Sequence, residues 1–195
     1  MSDTHGRKPI AAGKSSFDLI DVNKVFAAIN LQPDSVFLDL ASGRGAYSIE
    51  AAKRIGSAGI IYAVDLWEQG IELLKQDSAS HGFTNIKPLH CDAGQVPLPG
   101  QSIDVCLLAT VLHDFIEDNA ADRVLAELQR LMKQNGRLVV IEFKKIEGPP
   151  GPPLYIRMSP AEVEEKVKQC GFTAESKEAL EVGKYNYLVG FRTTG

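Results

Sequence analysis

Two glycines one residue apart, acids at the ends of apolar runs and one histidine–aspartate pair are the features of this chain that could do chemistry. The glycines lie in Val36-Phe37-Leu38-Asp39-Leu40-Ala41-Ser42-Gly43-Arg44-Gly45-Ala46-Tyr47. An apolar run leads into them, and beyond them Tyr47, Ile49, Ala51, Ala52 and Ile55 recur at helical spacing. That change of period reads as strand, tight turn, helix. Such a turn leaves N–H groups free at a helix start, and glycine lets a ligand approach the main chain closely. The loop from Ala41 through Ser42 and Gly43 to Gly45 is therefore expected to floor a cofactor site. Asp65 ends the next apolar run, 20 residues after Gly45. At that offset an acid commonly bonds ribose hydroxyls, although it also suits a helix N-cap. Asp92 follows the third run, and His113-Asp114 follows the fourth. His113 is the candidate general base, with Asp114 to orient it. In the competing reading Asp114 begins a helix and the His113 ring packs beside it.

The elements that must position these groups follow from hydrophobic period and punctuation. A helix is predicted around 21–28, and the residues before it, Ser15, Ser16 and Phe17, read either as a polar helix start or as a lid over the cofactor. Strands are predicted at 36–40, 59–65, 85–91, 103–111 and 137–143, with helices after Gly45 and over 66–81 and 119–134. Pro88 marks the third strand as an edge strand. Gly136 is expected to end the 119–134 helix. Ser159-Pro160-Ala161-Glu162 has capping-box spacing with proline at the first helical position, and that helix should stop at Gly171. The tail, 172–192, reads as two strands around Gly183-Lys184. Alternating strands and helices imply a parallel sheet covered on both faces, with ligands beyond the strand C-termini. The glycine loop, Asp65, Asp92 and His113-Asp114 all fall at such ends.

Composition narrows the function classes. The chain has 195 residues, 44% hydrophobic and 24% charged, as in one soluble globular domain. No apolar run is long enough to span a bilayer. Residues 1–14 are polar, lack the apolar core of a signal peptide, and are expected to be a flexible arm. A net charge of −4 does not resemble the basic footprint of a nucleic-acid binder. Cys91, Cys106 and Cys170 are odd in number and widely spaced, which implies free thiols in a reducing, cytoplasmic compartment. No metal site is expected, because His90, Cys91 and Asp92 are consecutive on a strand and point to alternate sides. Gly13-Lys14-Ser15 lacks the earlier glycine and strand of a phosphate-binding loop. A dinucleotide fingerprint fits poorly, with alanine at Ala41 where its first glycine belongs.

Asp39-x-Ala41-x-Gly43-x-Gly45, followed by Asp65, Asp92-Ala93 and a strand ending at Thr110, resembles a class I S-adenosylmethionine-dependent methyltransferase. The resemblance runs from about Phe17 to the C-terminus and is greatest to the ubiquinone/menaquinone-biosynthesis type of methyltransferase domain. The family usually has glycine at the place of Ala41. The resemblance implies an α/β fold, a Rossmann-like three-layer sandwich whose seven-stranded, mostly parallel sheet carries an antiparallel C-terminal strand. It implies that Ala41 to Gly45 pack against the methionine and ribose portion of S-adenosylmethionine. It further implies that Asp39 supports that loop or reaches the cofactor amine through water, that Asp65 takes the ribose hydroxyls and that Leu66 covers an adenine face. Asp92 would accept the adenine amino group beside the Ala93 amide, and Thr110 would offer main chain to the methionine group. The expected activity is methyl transfer to a small-molecule acceptor by in-line displacement, leaving S-adenosylhomocysteine. The alternatives are a nucleic-acid or protein methyltransferase and a non-catalytic S-adenosylmethionine-binding module. The acidic charge and a fourth strand ending Ala109-Thr110-Val111-Leu112 speak against nucleic acid as the acceptor.

Overall fold

A computed structural model describes residues 13–176 and 178–194, so most of the expected arm lies outside the described residues. A 3-10 turn, Phe17–Leu19, leads into α1, Val22–Ile29. Strand and helix then alternate through β1 Val36–Leu40, α2 Ala46–Ile55, β2 Ile60–Asp65, α3 Glu68–Ser80 and β3 Ile86–His90. Next come β4 Ile103–Ala109, α4 Leu112–Glu117, α5 Ala121–Leu131 and β5 Met132–Phe143. The chain closes with α6 Pro160–Gln169, β6 Phe172–Ala174, β7 Leu180–Glu181 and β8 Asn186–Thr193.

The strands form one sheet of eight in the order β3-β2-β1-β4-β5-β8-β6, with β7 paired to β8 off that path. Seven strands thus make the main path, as expected, and β7 is an added two-residue strand. β1 to β5 pair parallel, while β6, β7 and β8 run antiparallel. β3, which carries Pro88, is the edge strand at one end. One apolar core fills each face: Leu38, Leu40, Leu108 and Val140 point to one, and Phe37, Leu107, Val139 and Ile141 to the other. This is the period-two alternation of strands buried on both sides. The chain therefore runs outward from β1 through β2 to β3, then crosses back to β4 on the other side of β1, which places a crevice at the shared C-terminal edge of β1 and β4.

Two sequence expectations needed correction. Gly136 does not end α5; the helix stops at Leu131, Met132 is already extended at φ −78 and ψ 141, and Gly136 lies inside β5. The left-handed turn falls instead on Asn135, at φ 61. The tail also holds a separate strand, β6, ahead of the pair around Gly183-Lys184. Elsewhere local signals hold. Ser159 Oγ accepts from the Glu162 amide at 3.3 Å, and Glu162 Oε2 accepts from the Ser159 amide at 2.6 Å.

The loop between β5 and α6 leaves from the same edge as the crevice. It wraps around Arg157, which is 2% exposed. The guanidinium donates to the carbonyls of Pro152, Lys144, Ile146, Gly148 and Pro150 at 2.6 to 3.3 Å. Five donors meet five acceptors, so a proline- and glycine-rich segment that cannot form a ladder is held by one side chain. Arg157→Met should cost on the order of 2 kcal/mol or more by orphaning these carbonyls, seen as a thermal midpoint lowered by several degrees. Hydrogen exchange should quicken at Ile146, Ile156 and residue 157. An unchanged midpoint would show that the loop does not need the guanidinium.

Candidate active site

The tip of β1 turns through three left-handed residues at alternate positions: Ala41 at φ 60, Gly43 at φ 57 and Gly45 at φ 74. Glycine adopts this region freely, whereas alanine pays roughly 1–2 kcal/mol of steric strain there. Ala41 is held despite that cost because three of the amides that follow it are bonded. Ser42 N donates to Val64 O at 3.0 Å, Gly43 N to Asp65 Oδ2 at 2.7 Å and Gly45 N to Ser42 O at 2.8 Å. A Cβ at Gly45 would stand 2.4 Å from Leu74 Cδ1, so that glycine lets α3 pack on the turn. A Cβ at Gly43 would meet nothing within 4 Å, because the space above it is open.

That space belongs to a cavity of about 460 Å³ at the C-terminal edge of the sheet. Its walls bring together Asp39, Ala41, Ser42, Gly43, Asp65, Leu66, Ala93, Thr110 and Asp114. Gly45, Asp92 and His113 are not among its lining residues. Gly45 works from below, as the turn itself. Asp92 sits beside the cavity with both oxygens on Arg123, at 2.7 and 3.1 Å, and Oδ1 also accepts from Gly94 N at 2.6 Å. The Arg123 hydrogen bonds hold its carboxyl below the usual carboxylate range.

The expected base is turned away from the opening. His113 is 5% exposed, and its Nδ1 lies 2.8 Å from Glu142 Oε2. Burial disfavours the charged ring, but the Glu142 hydrogen bond and charge, with Asp114 and Glu117, outweigh it and the net shift is upward. Asp114 is the member of the pair that faces the cavity. Its carboxyl is raised overall, by burial first and by the acidic Glu142, Asp118 and Glu117, while the neighbouring His113 charge acts to lower it.

Three residues that spacing could not reveal complete the site. Ser16, expected in a lid or a helix start, is 3% exposed, bonds Tyr47 Oη at 2.9 Å and accepts from Thr110 Oγ1 at 3.2 Å. Residues 13–16 form part of the cavity wall, and Phe17 packs edge-on against Tyr47. Tyr47 carries the helical period of α2, which concealed its hydroxyl contact. Glu142 had a visible signal, a lone charge in the apolar run Leu138-Val139-Val140-Ile141-Glu142-Phe143. Thr110 is itself unusual, a β-branched residue at φ 55 at the end of β4. Such a conformation costs on the order of 1–3 kcal/mol and occurs mostly at functional sites.

Sequence comparison gives the family. A methyltransferase-domain model matches residues 31–182. The chain belongs to that methyltransferase family. A ubiquinone/menaquinone biosynthesis C-methyltransferase of Paraburkholderia phymatum is 36% identical over 124 residues, 63% of this chain and 49% of that protein. The Bordetella avium protein of the same name is 32% identical over 124 residues, 63% of this chain and 46% of its own length. The chain thus spans about half the length of the curated relatives it matches. A SAM-dependent methyltransferase from Aquifex aeolicus superposes with a TM-score of 0.83 at 28% identity, covering 93% of this chain and 94% of that one. The 1,6-didemethyltoxoflavin-N1-methyltransferase of Burkholderia thailandensis, solved with S-adenosylhomocysteine, shares the fold at a TM-score of 0.67 and 18% identity over 90% and 77% of the two chains.

Asp39 gives this methyltransferase domain a measurable signature. It is 1% exposed, and burial raises its carboxyl to about 7 against the pull of the Ser48 Oγ bond at 2.6 Å. Between the ordinary carboxylate value of 3.8 and about 7, the unfolded chain has lost this proton and the folded chain retains it. Stability from this group is therefore full below the lower value and is lost as pH rises toward the upper one, at about 1.4 kcal/mol per unit. Asp39→Asn should flatten the fall in urea stability between those limits relative to the wild type. Parallel stability–pH curves for the two proteins would overturn the assignment.

Proposed function

We propose that this domain binds S-adenosylmethionine in the cavity and transfers its methyl group to a small-molecule acceptor. The observation that carries the reading is the β1 turn opposite Asp65. Open space stands above Gly43, and Ser42 Oγ is buried with no hydrogen-bond partner among the described residues. A buried hydroxyl without a partner is costly and implies a ligand or water that satisfies it. The residues therefore fit an adenosine-type cofactor. Ala41, Ser42 and Gly43 would hold its amino-acid and ribose portion, Asp65 the ribose hydroxyls, and Leu66 and Ala93 the adenine. Asp65 keeps acceptor capacity, since a carboxylate offers about four lone-pair sites and the amides of Gly43 and Trp67 use two. Asp92 would reach the adenine amino group only by sharing its oxygens with Arg123. Thr110, fixed by its amide to Ile141 O at 2.7 Å, would meet the methionine portion.

When bound, S-adenosylmethionine supplies a methyl group already activated by a sulfonium charge. The chain is then left to align the acceptor and exclude water. Asp65, Asp77, Asp114 and Asp118 outnumber Lys14 and Arg44 on the wall and give the cavity an acidic character that suits a cationic cofactor. Residues 13–16 and the β5–α6 loop would close the acceptor side. A small-molecule acceptor is supported by the names of the relatives and by a net charge of −4. Three free thiols support a reducing, cytoplasmic setting.

Calorimetry with S-adenosylhomocysteine, S-adenosylmethionine and NAD tests the cofactor, and turnover against a metabolite panel tests the acceptor class. Binding of the two adenosyl compounds and not NAD is expected. Asp65→Asn should weaken S-adenosylhomocysteine by about 10- to 100-fold, the loss of a charge-assisted hydrogen bond. Binding of NAD alone, or unchanged affinity in the folded variant, would refute the reading.

A further inference from the structure

Glu142 is fully buried near the end of β5, directly after the apolar run Leu138-Val139-Val140-Ile141. A carboxylate in such a place is costly unless it is paired and hydrogen-bonded. Apart from its own neighbour Phe143, its side chain is held by His113 of α4. Oε1 accepts from the His113 amide at 3.2 Å, and Oε2 lies 2.8 Å from His113 Nδ1. Oε2 also accepts from its neighbour's amide, Phe143 N, at 3.3 Å. Main chain and ring of His113 are thus fastened to one carboxylate. The first consequence is tautomeric: Nδ1 must carry a proton toward Glu142, which leaves Nε2 to face elsewhere. It faces Asp114, whose Oδ1 is 3.5 Å away. The three groups run in line from the interior of the sheet to the cavity wall, with exposures of 0%, 5% and 42% for the side chains of Glu142, His113 and Asp114.

We propose that Glu142 is a positioning residue which holds His113 as an imidazolium against Asp114, so that the carboxylate lining the cavity stays ionised. The surroundings are consistent with this charge state. Facing the ring are Glu142 from β5 and Asp114 and Glu117 from α4, all acidic. Tyr187 of β8 lies near Glu142, is kept neutral by burial and donates its hydroxyl to Met158 O at 2.7 Å. The Phe143 ring stands edge-on to the imidazole at 6.5 Å and separates it from Arg157, whose guanidinium lies 5.8 Å from that ring. The upward shift of His113 agrees in sign with the geometry. Burial raises Asp114 overall, with Glu142, Asp118 and Glu117 adding to the rise, and the His113 charge is the one group that acts to lower it. On this view the ring does not itself meet the acceptor. Asp114 does, as a carboxylate able to take a proton from an acceptor's O–H or N–H, with that bond breaking as the carboxyl O–H forms.

The inference rests on the methyltransferase reading of the cavity, and its test separates the two. Nuclear magnetic resonance follows the titration of the His113 ring and the Asp114 carboxyl in the wild type, Glu142→Gln and Asp114→Asn, each checked for folding by circular dichroism. Calorimetry measures S-adenosylhomocysteine binding on the same samples. In the wild type the His113 ring is expected to show Nδ1 and Nε2 both protonated at neutral pH. In Glu142→Gln the His113 midpoint should fall by at least one pH unit and that of Asp114 should rise, with S-adenosylhomocysteine affinity within threefold. Should Glu142→Gln not fold, Asp114→Asn still decides, because loss of its charge must lower the His113 midpoint. A His113 titration unmoved by either folded variant would overturn the proposal. Failure of the wild type to bind S-adenosylhomocysteine would overturn the cofactor reading and leave the titration result standing.

Discussion

The site depends on a cross-tie between the tips of two neighbouring strands. Asp65, the last residue of β2, accepts the Gly43 amide from the β1 turn at 2.7 Å and the Trp67 amide ahead of α3 at 2.7 Å. Side-chain bonds to free main-chain amides are how a tight turn and a helix start are satisfied together. Without that tie, three left-handed residues, one of them an alanine, would have little to keep them from relaxing. With it, the turn stays open and its concave side becomes the cavity floor. The residue that the ribose reading assigns to a ligand is thus also a structural clamp, although it is not the helix N-cap, which is Trp67.

Around this floor the protein places groups that are costly to keep and informative for that reason. Asp39 is buried under the turn with Ser48, Glu142 is buried at the end of β5 with His113, and Thr110 holds a left-handed backbone at the end of β4. None of these improves the packing of the sheet. Each lies at the strand C-termini, where β1, β4 and β5 converge. Conflict between local preference and final structure collects at one edge, as expected where a site is built on an otherwise self-consistent fold. The opposite pattern holds in the two cores, where Leu38 packs in one apolar cluster and Leu107 in the other, as the strand period expects.

Two irregular segments near the strand C-termini are held by different means. The β5–α6 loop has prolines where hydrogen-bonding amides would otherwise be and is held through carbonyls on Arg157. The N-terminal wall is held by hydroxyls, Ser16 to Tyr47 and Thr110. Both attachments reach far along the sequence or bind irregular backbone. Such segments vary freely without disturbing the sheet, which is why this fold can serve many acceptors on one cofactor site.

The amino-acid sequence by itself determined the alternation of strands and helices, the edge position of β3, the capping box of α6 and the glycine turn. These follow from period, from proline's missing donor and from residues within four positions of each other. It also placed Asp65 and Thr110 at strand ends, because a strand's end is a local property. Only the tertiary structure decided which of those strand-end groups share a cavity. Asp92 is drawn to Arg123 from 31 residues away, and His113 to Glu142 from 29. The same is true of Gly136, which reads as a helix stop in sequence but lies inside β5, in the irregular stretch between Met132 and Arg137, which pair with β4. A side chain's partner across such distances is set by how layers pack, and no spacing along the chain encodes it.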